Sequence, residues 1–181
     1  LDVMHIEKNI CDSFLGTLLD ILGKSKDHIN SRYDLYEMGI RKDLQPLKDC
    51  DTGNIHLAKA CFSMTLDEKK LFCTVLNDAK LPKGCASNIS SRVQIEEMKV
   101  SGYKSHDAHF IMHYLLMVAV RKVLPKNVAM VLIRLGNYFT AICSKVIRRS
   151  DLDKMKAEII DIECKLEKIF PPSFLDIMPH L

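Results

Sequence analysis

Three histidines, His106, His109 and His113, fall in the run Ser105-His106-Asp107-Ala108-His109-Phe110-Ile111-Met112-His113. On a helix turning about 100° per residue they stand at about 0°, −60° and −20°, so all three line one side. Imidazoles arranged in this way could hold zinc, although adjacent turns of one helix usually supply two ligands and the third comes from elsewhere. The plainer reading uses Ser105 and Asp107 as caps and lets the histidines hydrogen-bond to neighbouring elements. A second constellation opens the chain, where Asp2, His5, Glu7 and Lys8 crowd together. Asp2 and His5 lie one helical turn apart, and a carboxylate beside an imidazole can bind a metal or relay a proton. Spacing alone is equally met by a salt-bridged helix start, with Asp2 near the positive end of the dipole and Glu7 and Lys8 on other sides.

Other chemistries find little material. No P-loop, GxGxxG or GxSxG motif is present, and glycine is too sparse for a phosphate cradle. Basic residues gather modestly, in Arg121 and Lys122 with Lys126, and in Lys145 with Arg148 and Arg149. Phosphate contacts from Arg121, Lys122, Lys126, Arg148 and Arg149 compete with a solvated helix-end reading. Phe62, Phe72, Phe110, Phe139 and Phe170 fall on apolar faces and are expected in the core rather than stacking on bases.

A net charge of +3, from 26 basic and 23 acidic residues, is too small for a dedicated nucleic-acid binder, so any DNA contact must be local. With 48% hydrophobic residues in 181, the chain can build a sizeable core. Its seven cysteines are odd in number, scattered and free of CxxC pairs, which argues for reduced thiols in cytosol or nucleus rather than a disulfide frame or zinc knuckle. No apolar run approaches the ~20 residues of a membrane span, since Phe110 to Val120 is interrupted by His113. The chain begins without Met and reads as a section of a longer polypeptide.

Positioning these residues falls to helices. Ile6, Ile10, Phe14, Leu18 and Leu22 recur every four residues and predict a core helix over 4–22 ended by Gly23. Ser25 or Asp27 is expected to cap a second helix with Ile29, Tyr33 and Met38 as its apolar face and Gly39 as its left-handed end. Residues 40–58 read as loop, and 60–64 as extended. Thr65-Leu66-Asp67-Glu68 has capping-box spacing and starts a helix reaching about Ala79. Residues 87–101 suit a weak helix. Beyond them, helices are predicted from Ser105 to Val123, from Val128 to Val146 with Asn127 at its start, and from a Ser150/Asp151 cap to the Pro171-Pro172 stop, with one more turn over 173–178. The result is a mainly α, all-α fold: an irregular bundle of six or seven helices with one loop-rich interval.

Read as words, the opening Asp2-Val3-Met4-His5-Ile6-Glu7-Lys8-Asn9 resembles a segment of the transposase encoded by plant CACTA (En/Spm-type) transposons. Blocks in the same order extend the likeness: Leu15 to Ile21, Glu37 to Arg41, Ala60-Cys61-Phe62, Lys104 to His109, Leu124 to Val128, Ala141 to Ile147 and Phe170 to Leu181. The stretch Asp49 to His56 departs from that family's usual Pro-rich approach to the Ala-Cys block. The resemblance implies a helical insertion of a ribonuclease-H-like core, with Asp2 and His5 matching an Asp-x-x-His element that follows the second catalytic acid. It implies that 1–58 is the edge of the transposase-like region and 59–181 part of an adjoining helical domain of unknown function. The first two triad acids would lie upstream and the third downstream. On this reading the chain is no enzyme and holds no cofactor, the magnesium of a full-length relative being gripped elsewhere. The implied partners are the remainder of the transposase chain, DNA and a second copy, in the nucleus and away from membranes. A recruited or decayed remnant acting as a protein-interaction module is the alternative, and a zinc enzyme built on His106, His109 and His113 is a third.

Overall fold

A computed structural model describes residues 3–49, 52–80 and 88–175. Within them the chain is mainly α. Helix α1 (Val3–Leu18) precedes α2 (Ile29–Glu37), a 3-10 turn (Lys42–Leu44) and the hairpin β1 (Leu47–Lys48) with β2 (Ile55–His56). Then come α3 (Leu66–Asn77), a 3-10 turn (Ile89–Arg92) and the hairpin β3 (Val93–Gln94) with β4 (Lys99–Val100). Next is a continuous helical rod, made of α4 (Ser105–Phe110), a π-helical stretch (Ile111–Leu115) and α5 (Leu116–Val123). The chain closes with α6 (Lys126–Ile142), α7 (Arg149–Ile169) and a 3-10 turn (Pro172–Leu175).

Helix α1 buries Ile10, Phe14 and Leu18 as its four-residue spacing demands, but it stops at Leu18 and leaves Leu22 99% exposed. The stop has a local cause. Residues 21–26 fold back over the last turn, with Ile21 N–H donating to the Gly16 carbonyl at 2.8 Å and Lys26 N–H to Thr17 Oγ1 at 3.0 Å. A Cβ on Gly16 would stand 2.5 Å from the Lys24 carbonyl oxygen, so only glycine admits this return.

In α2 the cap is His28, whose Nδ1 accepts from Ser31 N–H at 3.2 Å while Ser31 Oγ accepts from His28 N–H at 3.0 Å. Asp27, expected as a cap, instead holds Arg32 through Nε and, at 2.7 Å, Nη2. Arg32 is buried, and its Nη1 donates to the Leu44 carbonyl at 2.9 Å. That pair turns the helix over. Ser31, Arg32 and Leu35 face inward, whereas Ile29, Tyr33 and Met38, expected as the core face, are exposed. Gly39 does take the left-handed conformation, at φ 68°.

The loop-rich interval contains a short antiparallel ladder, Leu47 opposite His56 and Lys48 opposite Ile55, turned by Asp49, Thr52, Gly53 and Asn54. Residues 60–64 are irregular rather than extended. The Thr65–Glu68 capping box forms as expected: Thr65 N–H donates to Glu68 Oε2 at 2.7 Å and Glu68 N–H to Thr65 Oγ1 at 3.3 Å. In place of the weak helix expected up to residue 101, Met98 turns left-handed at φ 50° and a second hairpin pairs Val93 with Val100.

The rod α4–π–α5 is the spine. Helix α1 packs on α4, α3 and α6 on α5, and α7 on α6. Helix α6 begins at Lys126 and ends at Ile142, short of the expected Val146, and α7 begins at Arg149 without a side-chain cap from Ser150. The final turn spans Pro172–Leu175, and 176–178 of the expected stretch lie outside the described residues. Side chains from both sides of residue 58 share one core. Phe14 of α1 meets Phe170 at 5.8 Å and Phe174 at 4.8 Å between ring centroids, and Phe62 stacks on Phe170 at 4.6 Å. No helix among the described residues is long and apolar enough to cross a membrane.

Candidate functional site

Among the described residues, four possible metal-ligating side chains converge where α1, the rod and the end of α6 meet. Glu7, on the inward stripe of α1 with Cys11, Phe14 and Leu18, is fully buried. Its Oε2 lies 2.6 Å from His109 Nδ1 and its Oε1 lies 2.5 Å from His113 Nε2. Cys143, the residue that terminates α6, places its Sγ 3.7 Å from the same Oε1. The four donor atoms all lie within 4.8 Å of one another.

Local structure explains the convergence. His109 stands in α4 and His113 in the π stretch, and their rings lie 3.9 Å apart between centroids. A π turn within an α-helix shifts the phase of the turns beyond it and is often found at functional sites. Gly136 brings the other wall in: a Cβ there would sit 2.8 Å from the Met112 carbonyl oxygen, so α6 reaches the π stretch only because it has none. One turn later, Thr140 Oγ1 donates to the Gly136 carbonyl at 3.0 Å and lies 3.3 Å from His113 Nδ1.

Enclosure sets the electrostatics. Burial opposes charge on Glu7, yet the hydrogen bonds from His113 and His109 outweigh it and hold the carboxyl below its ordinary range. Burial and the neighbouring Glu7 carboxylate push the Cys143 thiol up to about 11. Chemically the group offers one carboxylate oxygen, two imidazole nitrogens and one sulfur, donors that suit a borderline metal ion.

His106 stands apart from this group, exposed at the edge of the histidine stripe. Asp107 caps the rod, accepting from Lys104 N–H at 2.8 Å, as the plainer reading requires. His5 lies in the first turns of α1, and Asp2 lies outside the described residues. Two members, Glu7 and Cys143, are not among the metal candidates that the sequence offers. Glu7 carries a signal all the same: it occupies an inward position of the stripe that continues through Cys11, Phe14 and Leu18, and an acid in a core register requires a partner.

The basic candidates are all exposed, in two groups. Arg121 and Lys122 close α5 beside Lys126 at the start of α6, whereas Arg148 and Arg149 lie past the far end of α6. A 17-residue helix separates them by about 25 Å.

Comparison with known proteins gives a local match. Residues 142–181 match the family model described as a domain of unknown function, DUF4218. No curated protein and no solved structure matches the chain. The matched region begins one residue before Cys143 and contains α7 and the Phe170–Phe174 pair, so it supplies the exposed member of the four-residue cluster and two rings of the aromatic group.

Proposed function

We propose that this chain is a non-catalytic helical portion of a DNA-transposase-derived protein, supporting and positioning a metal-dependent core that lies outside it. The carrying observation is the DUF4218 match over residues 142–181, a domain found in plant transposase-related proteins. Its packing adds weight, because the matched tail closes on the helix that carries His5 of the Asp-x-x-His resemblance, through Phe170 and Phe174 against Phe14. The finer assignment to CACTA-type elements rests on the ordered blocks quoted above, and nuclear residence goes with it.

Catalytic inertness is part of the proposal. A two-metal phosphodiester site needs several carboxylates open to the same ions. Here Glu7 is fully buried against two imidazoles, and Asp12 is held by Lys8 and by the Tyr103 hydroxyl. Contact with the remainder of the transposase chain, or with a second copy, is assigned to the exposed side of α2, where Ile29, Tyr33, Tyr36 and Met38 present apolar surface to solvent. Local DNA contact is assigned to Arg121, Lys122 and Lys126, with Arg148 and Arg149 as a separate group.

The test is a cleavage assay on transposon-end DNA with magnesium. The chain alone is expected to leave the DNA intact, and the longer polypeptide carrying the upstream and downstream acids to cleave it. Cleavage by the isolated chain overturns the proposal. Filter binding across a salt series tests the DNA contacts: replacing Arg121, Lys122 and Lys126 is expected to flatten the salt slope by about 0.9 for each phosphate that is no longer neutralised.

A further inference from the structure

We infer that Glu7, His109, His113 and Cys143 form a structural zinc site joining α1, the central rod and the end of α6. Such a site is independent of the transposase reading, and it places the metal on a different set of residues from the three histidines of the 106–113 stripe.

The first support is the donor set and its spacing. Zinc takes nitrogen at about 2.0–2.1 Å and thiolate at about 2.3 Å, so the edges of its tetrahedron run roughly 3.3–3.7 Å. Four donors of the right kinds already stand within 4.8 Å of one another, with Cys143 Sγ at 3.7 Å from Glu7 Oε1. Widening the two short contacts, 2.6 Å at His109 and 2.5 Å at His113, to the roughly 3.3 Å edge of that tetrahedron makes room for the ion.

The second support is the second contact of His113. Thr140 Oγ1 lies 3.3 Å from His113 Nδ1 and 3.0 Å from the Gly136 carbonyl oxygen, which places an oxygen beside the ring nitrogen that does not face Glu7. The other ring nitrogen, Nε2, is the one that faces Glu7 Oε1, at 2.5 Å. A zinc-bound histidine has the same arrangement: one nitrogen on the metal, the other N–H held by a neighbouring oxygen that fixes the ring.

The third is access and closure. Cys143 is exposed while Glu7 and His113 are buried, so the thiol forms the outer edge of the site, where an ion can enter. Binding replaces the Cys143 S–H proton, which passes to solvent, with a zinc–sulfur bond. Four protein ligands leave no open position, which makes the role structural rather than catalytic.

Cobalt(II) titration of the metal-free 181-residue chain is the experiment. Expected are saturation at one equivalent, the visible bands of tetrahedral cobalt, a thiolate-to-cobalt charge-transfer band, and displacement of cobalt by one equivalent of zinc with a rise in Tm. Cys143→Ser should lose the charge-transfer band and at least tenfold in affinity. Thr140→Val, which alters a positioning residue outside the ligand set, should weaken binding about tenfold and keep the band. Both side chains lie at exposed positions, so these variants retain the fold, which circular dichroism checks directly. Uptake well below one equivalent overturns the inference, and so does an unchanged spectrum and affinity in Cys143→Ser.

Discussion

Glu7 Oε1 meets His113 Nε2 at 2.5 Å across 106 positions of sequence, and this contact fastens the first helix to the middle of the central rod. Glu7→Ala, studied free of metal, leaves two imidazoles facing an apolar gap. It is expected to cost about 1–3 kcal/mol, the usual effect of leaving a buried hydrogen-bonding group without its partner. Urea denaturation measures it, and a loss under ~1 kcal/mol would show that the carboxylate does not tie the helices together.

Gly136 sets how closely α6 approaches the rod. In Gly136→Ala the new methyl would stand 2.8 Å from the Met112 carbonyl oxygen, a backbone atom that cannot swing aside. The helices must separate. A loss of about 1–3 kcal/mol is expected in thermal unfolding. Because Thr140 and Cys143 move with α6, metal affinity should fall in the same variant.

Asp27 is predicted to matter far more than a cap. Its carboxylate answers the buried Arg32 guanidinium, which also reaches Leu44, and so it fixes the return of the chain after α2. Asp27→Ala should destabilise by about 3–5 kcal/mol in denaturant unfolding. Ser25→Ala, at the other candidate cap, should stay within ~0.5 kcal/mol.

Acid dependence is expected between α6 and α7. The hydrogen bond from Arg134 holds the Glu158 carboxyl below its ordinary 4.5. Lys165, and then Arg134, hold Asp161 below 3.8. Depressed carboxylates stabilise the fold above their ordinary values, and that contribution disappears as pH falls through the lowered ones. Arg134→Met should therefore lower Tm at neutral pH, with the gap from the parent chain starting to close below pH 4.5 as Glu158 titrates and closing further below pH 3.8 with Asp161. A gap that persists unchanged into acid would assign Arg134 a packing role instead.

What can be read from the sequence is local. Thr65 and Glu68 announce α3 because both halves of the capping box lie within one turn, and the stripes of α6 and α7 declare inward faces by period alone. The face of α2 misleads because Arg32, ordinarily a surface residue, is drawn inward by Asp27 and overrides the apolar count of Ile29, Tyr33 and Met38. The candidate site is half legible. His109 and His113 share a helix, so their spacing shows them, but Cys143 and Glu7 stand 136 positions apart and no local pattern links them. His106 groups with the other two by angle, and angle does not say how far α1 extends over the rod.

The aromatic group around Phe14 has a consequence for how the molecule is made. Phe14 is synthesised well before Phe170 and Phe174, the rings that cover it. At about 5–20 residues per second, the ribosome leaves α1 without these ring partners for on the order of ten seconds. Throughout that interval a nascent chain displays an uncovered phenylalanine, and cellular chaperones have their opportunity there.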